Sequence, residues 1–314
     1  MRHIISATDF TAEDIKRIFG RALEHKRGNG KGRLGGCVVA SLFYEPSTRT
    51  RISFEMATLR GGGRIVSSEH AGIFSSAAKG ETLEDTIRVI ASYNPNVIVL
   101  RHKEAGAATR AAAVSSVPII NAGDGDNEHP TQALLDLFTI WEASRERRWP
   151  HASLRVSFFG DNRKSRTVRS LARLMLAMGN ALGLDLGSLV FSGENLECAH
   201  PDGEFLRELE NQEVVPFFLR PIREFDRNAD IVYVTRFQKE RYPDEGKLTD
   251  QSTEPFCVGL EHVRSLSEHA IIMHPLPRVD ELSAEVDSDP RAWYFRQAEN
   301  GLYVRMALLE MIIG

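Results

Sequence analysis

Eight short apolar runs, interleaved with helix-like segments, constrain the fold of this chain more than any other feature. The runs fall at 37–43, 96–101, 117–121, 154–159, 188–192, 214–218, 230–235 and 269–273. Segments of helical character lie around them, at about 47–60, 80–92, 131–145, 165–179, 203–211 and 290–312. Parallel strands need a crossover between them and are buried on both faces, so this alternation predicts an α/β chain built on mainly parallel sheets flanked by helices. A length of 314 residues accommodates two domains, each with its own core. The polar stretch from Ser144 to Pro150 sits after a helix and before the strand LRVSFFG, where a domain boundary is expected. At the N-terminal end, Thr11 and Asp14 have the spacing of a capping box, which opens a helix through about Leu23. At the other end, Leu302, Met306, Leu309 and Ile313 repeat at helical spacing and predict one apolar stripe.

Composition narrows the function classes. Lys plus Arg number 39 and Asp plus Glu 43, a net charge of −4, with basic residues interspersed among acids. That pattern does not suit a polyanion-binding protein, so nucleic acid is excluded as a partner and any anion must be held locally by a few aimed groups. Cys37, Cys198 and Cys257 are scattered and form no CxxC pair, which argues against a zinc site or disulfide framework and suits a reducing cytoplasm. No run approaches the roughly 18 apolar residues of a membrane span, and MRHIISATDF lacks the apolar core of a leader. The expected location is cytoplasmic, with no membrane partner.

The richest chemistry lies at 43–55, FYEPSTRTRISFE. An apolar strand runs through Pro46 into Ser47, Thr48, Arg49 and Thr50, and then into a helix. Hydroxyls, a guanidinium fork and free backbone N–H groups thus gather at a helix start, where an anion is stabilised. Arg51 has a weaker claim than these four, since solvation of the helix surface accounts for it. Arg101 closes the apolar run VIVL, at a strand end where α/β proteins place ligand groups or salt bridges. In HPTQ at 129–132, His129 and Gln132 lie three apart at a helix start and project to one side, while Leu134, Leu137, Phe138 and Trp141 form the apolar stripe. KGET at 79–82 and HPLPR at 274–278 complete the set. Strand 154–159 ends in Gly160-Asp161, but neither GxGxxG nor a Walker motif follows, so a dinucleotide or ATP site is disfavoured and a ligand-facing loop is expected instead.

Taken together, these segments resemble the aspartate/ornithine carbamoyltransferase family over nearly the whole chain, in family order from HIIS at 3–6 to the terminal helix. The resemblance implies a carbamoyl phosphate-binding domain over 1–145, completed by a C-terminal helix at 290–314 that returns to it, and an aspartate-binding domain over 150–285. It implies that Ser47, Thr48, Arg49 and Thr50 hold the phosphate, and that Arg101 contacts both phosphate and carbonyl oxygen. His129 would donate to that oxygen as charge develops, a role typically worth about 2.7–4 kcal/mol. Gln132, with the backbone carbonyls of Pro275 and Leu276, would receive the carbamoyl NH2.

On the acceptor side, the resemblance assigns Arg166 to the α-carboxylate of aspartate and Arg236 with Gln238 to the β-carboxylate. Ser75 and Lys79, on a small-residue loop, would reach the site of a neighbouring subunit and complete its pocket, which implies a homotrimer with shared sites. Ser76 adjoins Ser75 and competes for its role. Glu45 would pair with Arg166 and Arg241 when the substrates draw the domains together, so its removal is expected to weaken aspartate affinity and spare phosphate binding.

The implied reaction is direct attack of the aspartate amine on carbamoyl phosphate, giving N-carbamoyl-L-aspartate and phosphate for pyrimidine synthesis, with no cofactor and no metal. Several cations suit a dicarboxylate acceptor and would repel ornithine. The ornithine branch usually carries HPCQ and HCLP, where this chain has Thr131 and Pro275. Departures at 162–165 (NRKS) and in PDEGKLTDQSTEPF surround the acceptor side. They leave open another acidic amine as acceptor; a catalytically silent binding subunit is the reading from a different class. A separate regulatory chain or a dihydroorotase partner is likewise left open.

Overall fold

The computed structural model describes residues 1–69, 80–147, 149, 153–193, 199–211, 216–218, 225–238 and 257–314. Ser75, Lys79 and Arg241 therefore lie outside the described residues. The chain divides into two compact units, Met1–Phe138 with Ala298–Gly314, and Thr139–Gln297.

The first unit holds four parallel strands, β1 (Val38–Phe43), β2 (Arg64–Glu69), β3 (Val97–His102) and β4 (Ile119–Asp124), in the order β2-β1-β3-β4. Around them run α1 (Ala12–Lys26), α2 (Thr48–Arg60), α3 (Leu83–Ser92), α4 (Ala107–Val114) and the start of α5 (Pro130–Arg147). Every residue of β3 and β4 is buried. Burying a Val, Leu or Ile side chain is worth about 1.5–3 kcal/mol, against a β-propensity scale spanning about 1 kcal/mol. Burial therefore selects these strands more than intrinsic preference does. Ile87, Ile98, Leu100, Ala107 and Ile119 share one apolar cluster with Ala40 and Leu42 of β1. The capping box expected at α1 forms: Thr11 Oγ1 accepts from the Asp14 N–H at 3.2 Å, and the Asp14 carboxylate accepts from the Thr11 N–H at 2.8 Å. The Arg2 guanidinium also donates to Asp14 and holds its carboxyl well below the usual carboxylate range.

Two elements of this unit are not legible in the apolar pattern. β2, RIVSSE, is an edge strand with no fully buried residue, so it shows neither a continuous apolar run nor a clean alternation. α4, AATRAAAV, is almost all alanine, which favours helix without marking an apolar face.

The second unit carries β5 (Leu154–Phe159), β6 (Leu186–Ser192), β7 (Phe217–Phe218), β8 (Ile231–Val234) and β9 (Ile271–Met273), again all parallel, in the order β7-β6-β5-β8-β9. Its helices are α6 (Arg166–Met178), α7 (Gly203–Asn211) and α8 (Leu260–Ser265), with the first turn of α9 (Tyr294–Ile313). Phe159, Val232, Val234, Ile272 and Tyr294 belong to its core, and Phe158 stacks on Phe191 at 5.4 Å.

The C-terminal helix α9 passes into the first unit from Ala298 onward. Its packing is broader than one stripe. Val304 through Glu310 are all buried, while Leu302 and Ile313 are only half-buried. A helix buried on every side must also bury polar residues. Arg305 is one, 3 % exposed, and burial brings its guanidinium down to about 10, with the Asp136 carboxylate opposing that shift.

Candidate active site

In an open parallel sheet, ligands bind beyond the carboxyl ends of the strands, where the strand order reverses direction. The first unit reverses between β1 and β3. β1 leads through Tyr44, Glu45 and Pro46 to Ser47 and α2, and β3 ends at Arg101 and His102. Phe43 and Arg101 are paired in register, and the Tyr44 N–H donates to the Arg101 carbonyl at 2.8 Å. The fold thus sets the phosphate-type motif and the strand-end arginine at one crevice, although 50 residues separate them in number.

The start of α2 is open. Ser47 is its N-cap residue, but its hydroxyl makes no capping hydrogen bond, and the first turn holds no acidic residue. By contrast, Thr11, Thr82 and Ser165 cap α1, α3 and α6 through their side chains. The first intrahelical bond at α2 runs from the Arg51 N–H to the Ser47 carbonyl, so the N–H groups of Thr48, Arg49 and Thr50 precede the helical ladder. Thr48 and Arg49 are exposed, while Thr50 is buried. Arg51 is engaged elsewhere, with Glu55 at 3.1 Å and Glu69 at 3.0 Å, which ties α2 to the end of β2.

Arg101 is buried. It donates to the Ala122 carbonyl at 3.0 Å and forms an ion pair with Glu45 at 2.7 Å. Next to it, burial lowers His102 below its ordinary range, so its ring adds no charge near pH 7. The Glu45–Arg101 pair was not foreseen from sequence, which gave Glu45 the partners Arg166 and Arg241. A phosphate arriving at this guanidinium competes with a carboxylate already there. The Glu45 side chain is 29% exposed, and an ion pair with a solvated partner is worth about 0.2–1 kcal/mol, so Glu45→Gln should tighten inorganic phosphate binding by about 1.4- to fivefold. Isothermal titration of the variant checks this; weaker or equal binding would show that the pair does not compete.

His129 and Gln132 follow β4. The Asp124 carboxylate, 1 % exposed, organises the loop leading to them, accepting from Asn121 Nδ2 at 2.9 Å, Gly106 N–H at 2.9 Å and Glu128 N–H at 3.2 Å. His129 is buried immediately before α5. Gln132 Nε2 donates to Asp136 Oδ1 at 2.8 Å, one turn along the same helix. A carboxylate only accepts, so this bond fixes the NH2 end of Gln132 on Asp136 and leaves its carbonyl oxygen as the outward acceptor. Asp136 escaped sequence reasoning because it sits inside an apolar helical run without a motif of its own.

The second unit reverses strand order between β5 and β8. Their ends are joined where the Thr235 N–H donates to the Phe159 carbonyl at 2.7 Å. Arg166, buried, is the first residue of α6, and Arg236 and Gln238 follow β8, both half-buried. Asp161 organises both loops: its Oδ1 accepts from the Lys164 N–H at 3.0 Å and its Oδ2 from the Gln238 N–H at 3.2 Å. Only the Gly-Asp turn after a strand hinted at this residue. Pro275 and Leu276 follow β9, which neighbours β8, and are half-buried.

Each unit therefore carries its polar groups at its own reversal point. The first offers an open helix start, hydroxyls, two arginines, a histidine and an oriented amide, a set suited to a phosphate joined to a polar carbonyl group. The second offers two arginines and an amide, suited to carboxylates.

Comparisons with known proteins give two family matches in succession along the chain. Residues 2–142 match the model of the aspartate/ornithine carbamoyltransferase carbamoyl-P binding domain, and residues 152–312 match that of the Asp/Orn binding domain. The chain is similar to the chloroplastic aspartate carbamoyltransferase 1 of Pisum sativum, 45% identical over 318 residues, covering 99% of this chain and 78% of that protein. It is 41% identical over 315 residues to the aspartate carbamoyltransferase catalytic subunit of Methanocella arvoryzae, covering 100% and 97% of the two. Among solved structures, the aspartate transcarbamoylase of Trypanosoma cruzi in complex with carbamoyl phosphate and aspartate superimposes with a TM-score of 0.86 at 34% identity, covering 98% of this chain and 95% of that one.

Proposed function

From its membership of the aspartate/ornithine carbamoyltransferase family, we infer the reaction of this chain: it is an aspartate carbamoyltransferase. It transfers the carbamoyl group of carbamoyl phosphate to the amino group of L-aspartate, giving N-carbamoyl-L-aspartate and phosphate, a step of pyrimidine biosynthesis. The observation that carries this reading is the presence of a reversal point in each unit, one with a phosphate-type cradle and one with carboxylate-type cations.

In the mechanism we propose, Ser47, Thr48, Arg49 and Thr50 hold the phosphate dianion, and Arg101 donates to phosphate and carbonyl oxygen. His129 donates to the same carbonyl oxygen, where negative charge grows as the amine attacks. The Gln132 carbonyl oxygen, with those of Pro275 and Leu276, accepts from the carbamoyl NH2. Arg166 binds the α-carboxylate of aspartate, and Arg236 with Gln238 the β-carboxylate. The tetrahedral intermediate collapses with loss of phosphate, and the departing phosphate takes the amine proton. No side-chain nucleophile is needed; the rate gain comes from holding two substrates together and from preorganised positive charge.

We further propose that the working unit is a cytoplasmic homotrimer in which Ser75 and Lys79 complete a neighbour's site. Supporting this, Ile52, Met56 and Leu59 lie on one face of α2 and are 44%, 39% and 54% exposed, beside an edge strand whose Val66 is 67% exposed. An exposed apolar stripe of this kind marks an association surface. The 70–79 segment follows that strand directly in the chain.

The test is carbamoyl phosphate-dependent ureido product formation by purified protein across L-aspartate, L-ornithine and other acidic amines, with the mass in solution measured alongside. Saturable turnover with L-aspartate alone is expected, from a species of three chains. Turnover with another acidic amine but not aspartate would overturn the acceptor assignment, and a fully active monomer would overturn the shared site.

A further inference from the structure

His274 stands first in HPLPR, directly beyond β9, and no step above uses it. Its side chain is 1 % exposed and that of its partner Glu281 is 9 % exposed. Three hydrogen bonds close the turn around the pair. The Leu276 N–H donates to His274 Nδ1 at 2.8 Å, His274 Nε2 meets Glu281 Oε1 at 2.7 Å, and the Val279 N–H donates to the Glu281 carboxylate at 3.2 Å. The first bond requires an unprotonated Nδ1. The second requires a proton on Nε2, because an ionised carboxylate can only accept. The His274 side chain on Glu281 helps hold that carboxyl below its ordinary value, against the opposing effect of burial, which is the largest single influence on it. Together the two bonds leave one neutral tautomer, with Nδ1 as acceptor.

What that acceptor holds is an unusual backbone. Leu276 has φ +53, a left-handed conformation that a residue other than glycine rarely adopts. At such a residue a small rotation redirects the flanking carbonyls, so their aim depends on whatever fixes the Leu276 N–H. We propose that His274, locked in one tautomer by Glu281, is a positioning residue that aims the Pro275 and Leu276 carbonyls at the NH2 of the carbamoyl group. It thereby makes the enzyme select a carbamoyl over an acyl phosphate. The proposal rests on the reading above that these two carbonyls receive the carbamoyl NH2.

Acetyl phosphate separates the two ideas, since it has the same phosphate and a methyl group in place of NH2. Dissociation constants for carbamoyl phosphate, acetyl phosphate and inorganic phosphate are measured by titration on the full-length protein. The unsubstituted protein should prefer carbamoyl over acetyl phosphate by about tenfold or more, as a site built to hydrogen-bond its ligand does. His274→Ala should collapse that preference to about twofold, by loss of one aimed acceptor pair, and leave inorganic phosphate within about twofold of its original value. His274→Asn should restore most of the preference, because an asparagine oxygen can accept the N–H two residues on. Glu281→Gln should lower the preference, since an amide can donate to the ring and release the tautomer. That variant carries the test where His274→Ala does not fold. Unchanged preference in His274→Ala or in Glu281→Gln overturns the proposal, as does an asparagine variant no better than alanine. No preference in the unsubstituted protein overturns the reading of the two carbonyls, and the proposal with it.

Discussion

Arg101→Ala should lower kcat/KM for carbamoyl phosphate by about 10²–10⁴-fold while leaving the fold intact. Two charge-assisted hydrogen bonds are at stake, one to phosphate and one to the carbonyl oxygen, each worth roughly 1.5–3 kcal/mol. The corresponding structural loss is small. The guanidinium also donates to the Ala122 carbonyl and pairs with Glu45, whose side chain is 29% exposed and rehydrates readily. Steady-state kinetics with circular dichroism checks both halves of the expectation. Arg51→Ala is the control: its partners Glu55 and Glu69 are on the protein, and turnover should stay within about twofold. A loss below tenfold at Arg101, or an equal loss at Arg51, would remove Arg101 from the site.

Gly160→Ala should destabilise the second domain by more than about 3 kcal/mol and abolish aspartate turnover. Gly160 follows β5 with φ +121, and a Cβ there would lie 2.0 Å from the Thr235 carbonyl oxygen and 2.7 Å from its hydroxyl. The obstruction is backbone, so no side-chain rotation relieves it. Separating β5 from β8 breaks the Thr235 N–H bond to Phe159 and displaces Asp161, which holds the Gln238 N–H. Inorganic phosphate binding should survive, because its groups all belong to the first unit. Thermal unfolding with phosphate titration reads both effects. A variant with unchanged melting and turnover would mean that β5 and β8 do not need this contact.

These effects differ in how far the linear chain foretells them. The carboxyl ends of β1, β5, β6 and β9, the open helix start at Ser47 and the capping box at Thr11 are local, determined by residues within a few positions of each other, and they were legible; the end of β4 lies three residues beyond the expected run. So were the types of group available to ligands, because a guanidinium or an amide has the same donors wherever it is placed. β2 and α4 were less legible because their burial is partial or their side chains too small to leave a periodic signal. The width of the buried face on α9 was not legible either. It depends on what surrounds the helix, not on the spacing of Leu302, Met306, Leu309 and Ile313.

Other features follow from pairings distant in sequence. The order β2-β1-β3-β4 brings Phe43 and Arg101 into register, and β5 beside β8 brings Gly160 against Thr235. Strand order cannot be read from strand content, since any of these apolar runs is chemically able to pair with any other. The same holds for Glu45 on Arg101, Gln132 on Asp136 and His274 on Glu281. Hydrogen bonds and ion pairs act over about 3 Å, and only the folded chain decides which groups come that close. From residues alone one can therefore read the inventory of reactive and binding groups, the element types and the family likeness. Tertiary structure decides their partners, and with them which donors remain turned toward a ligand.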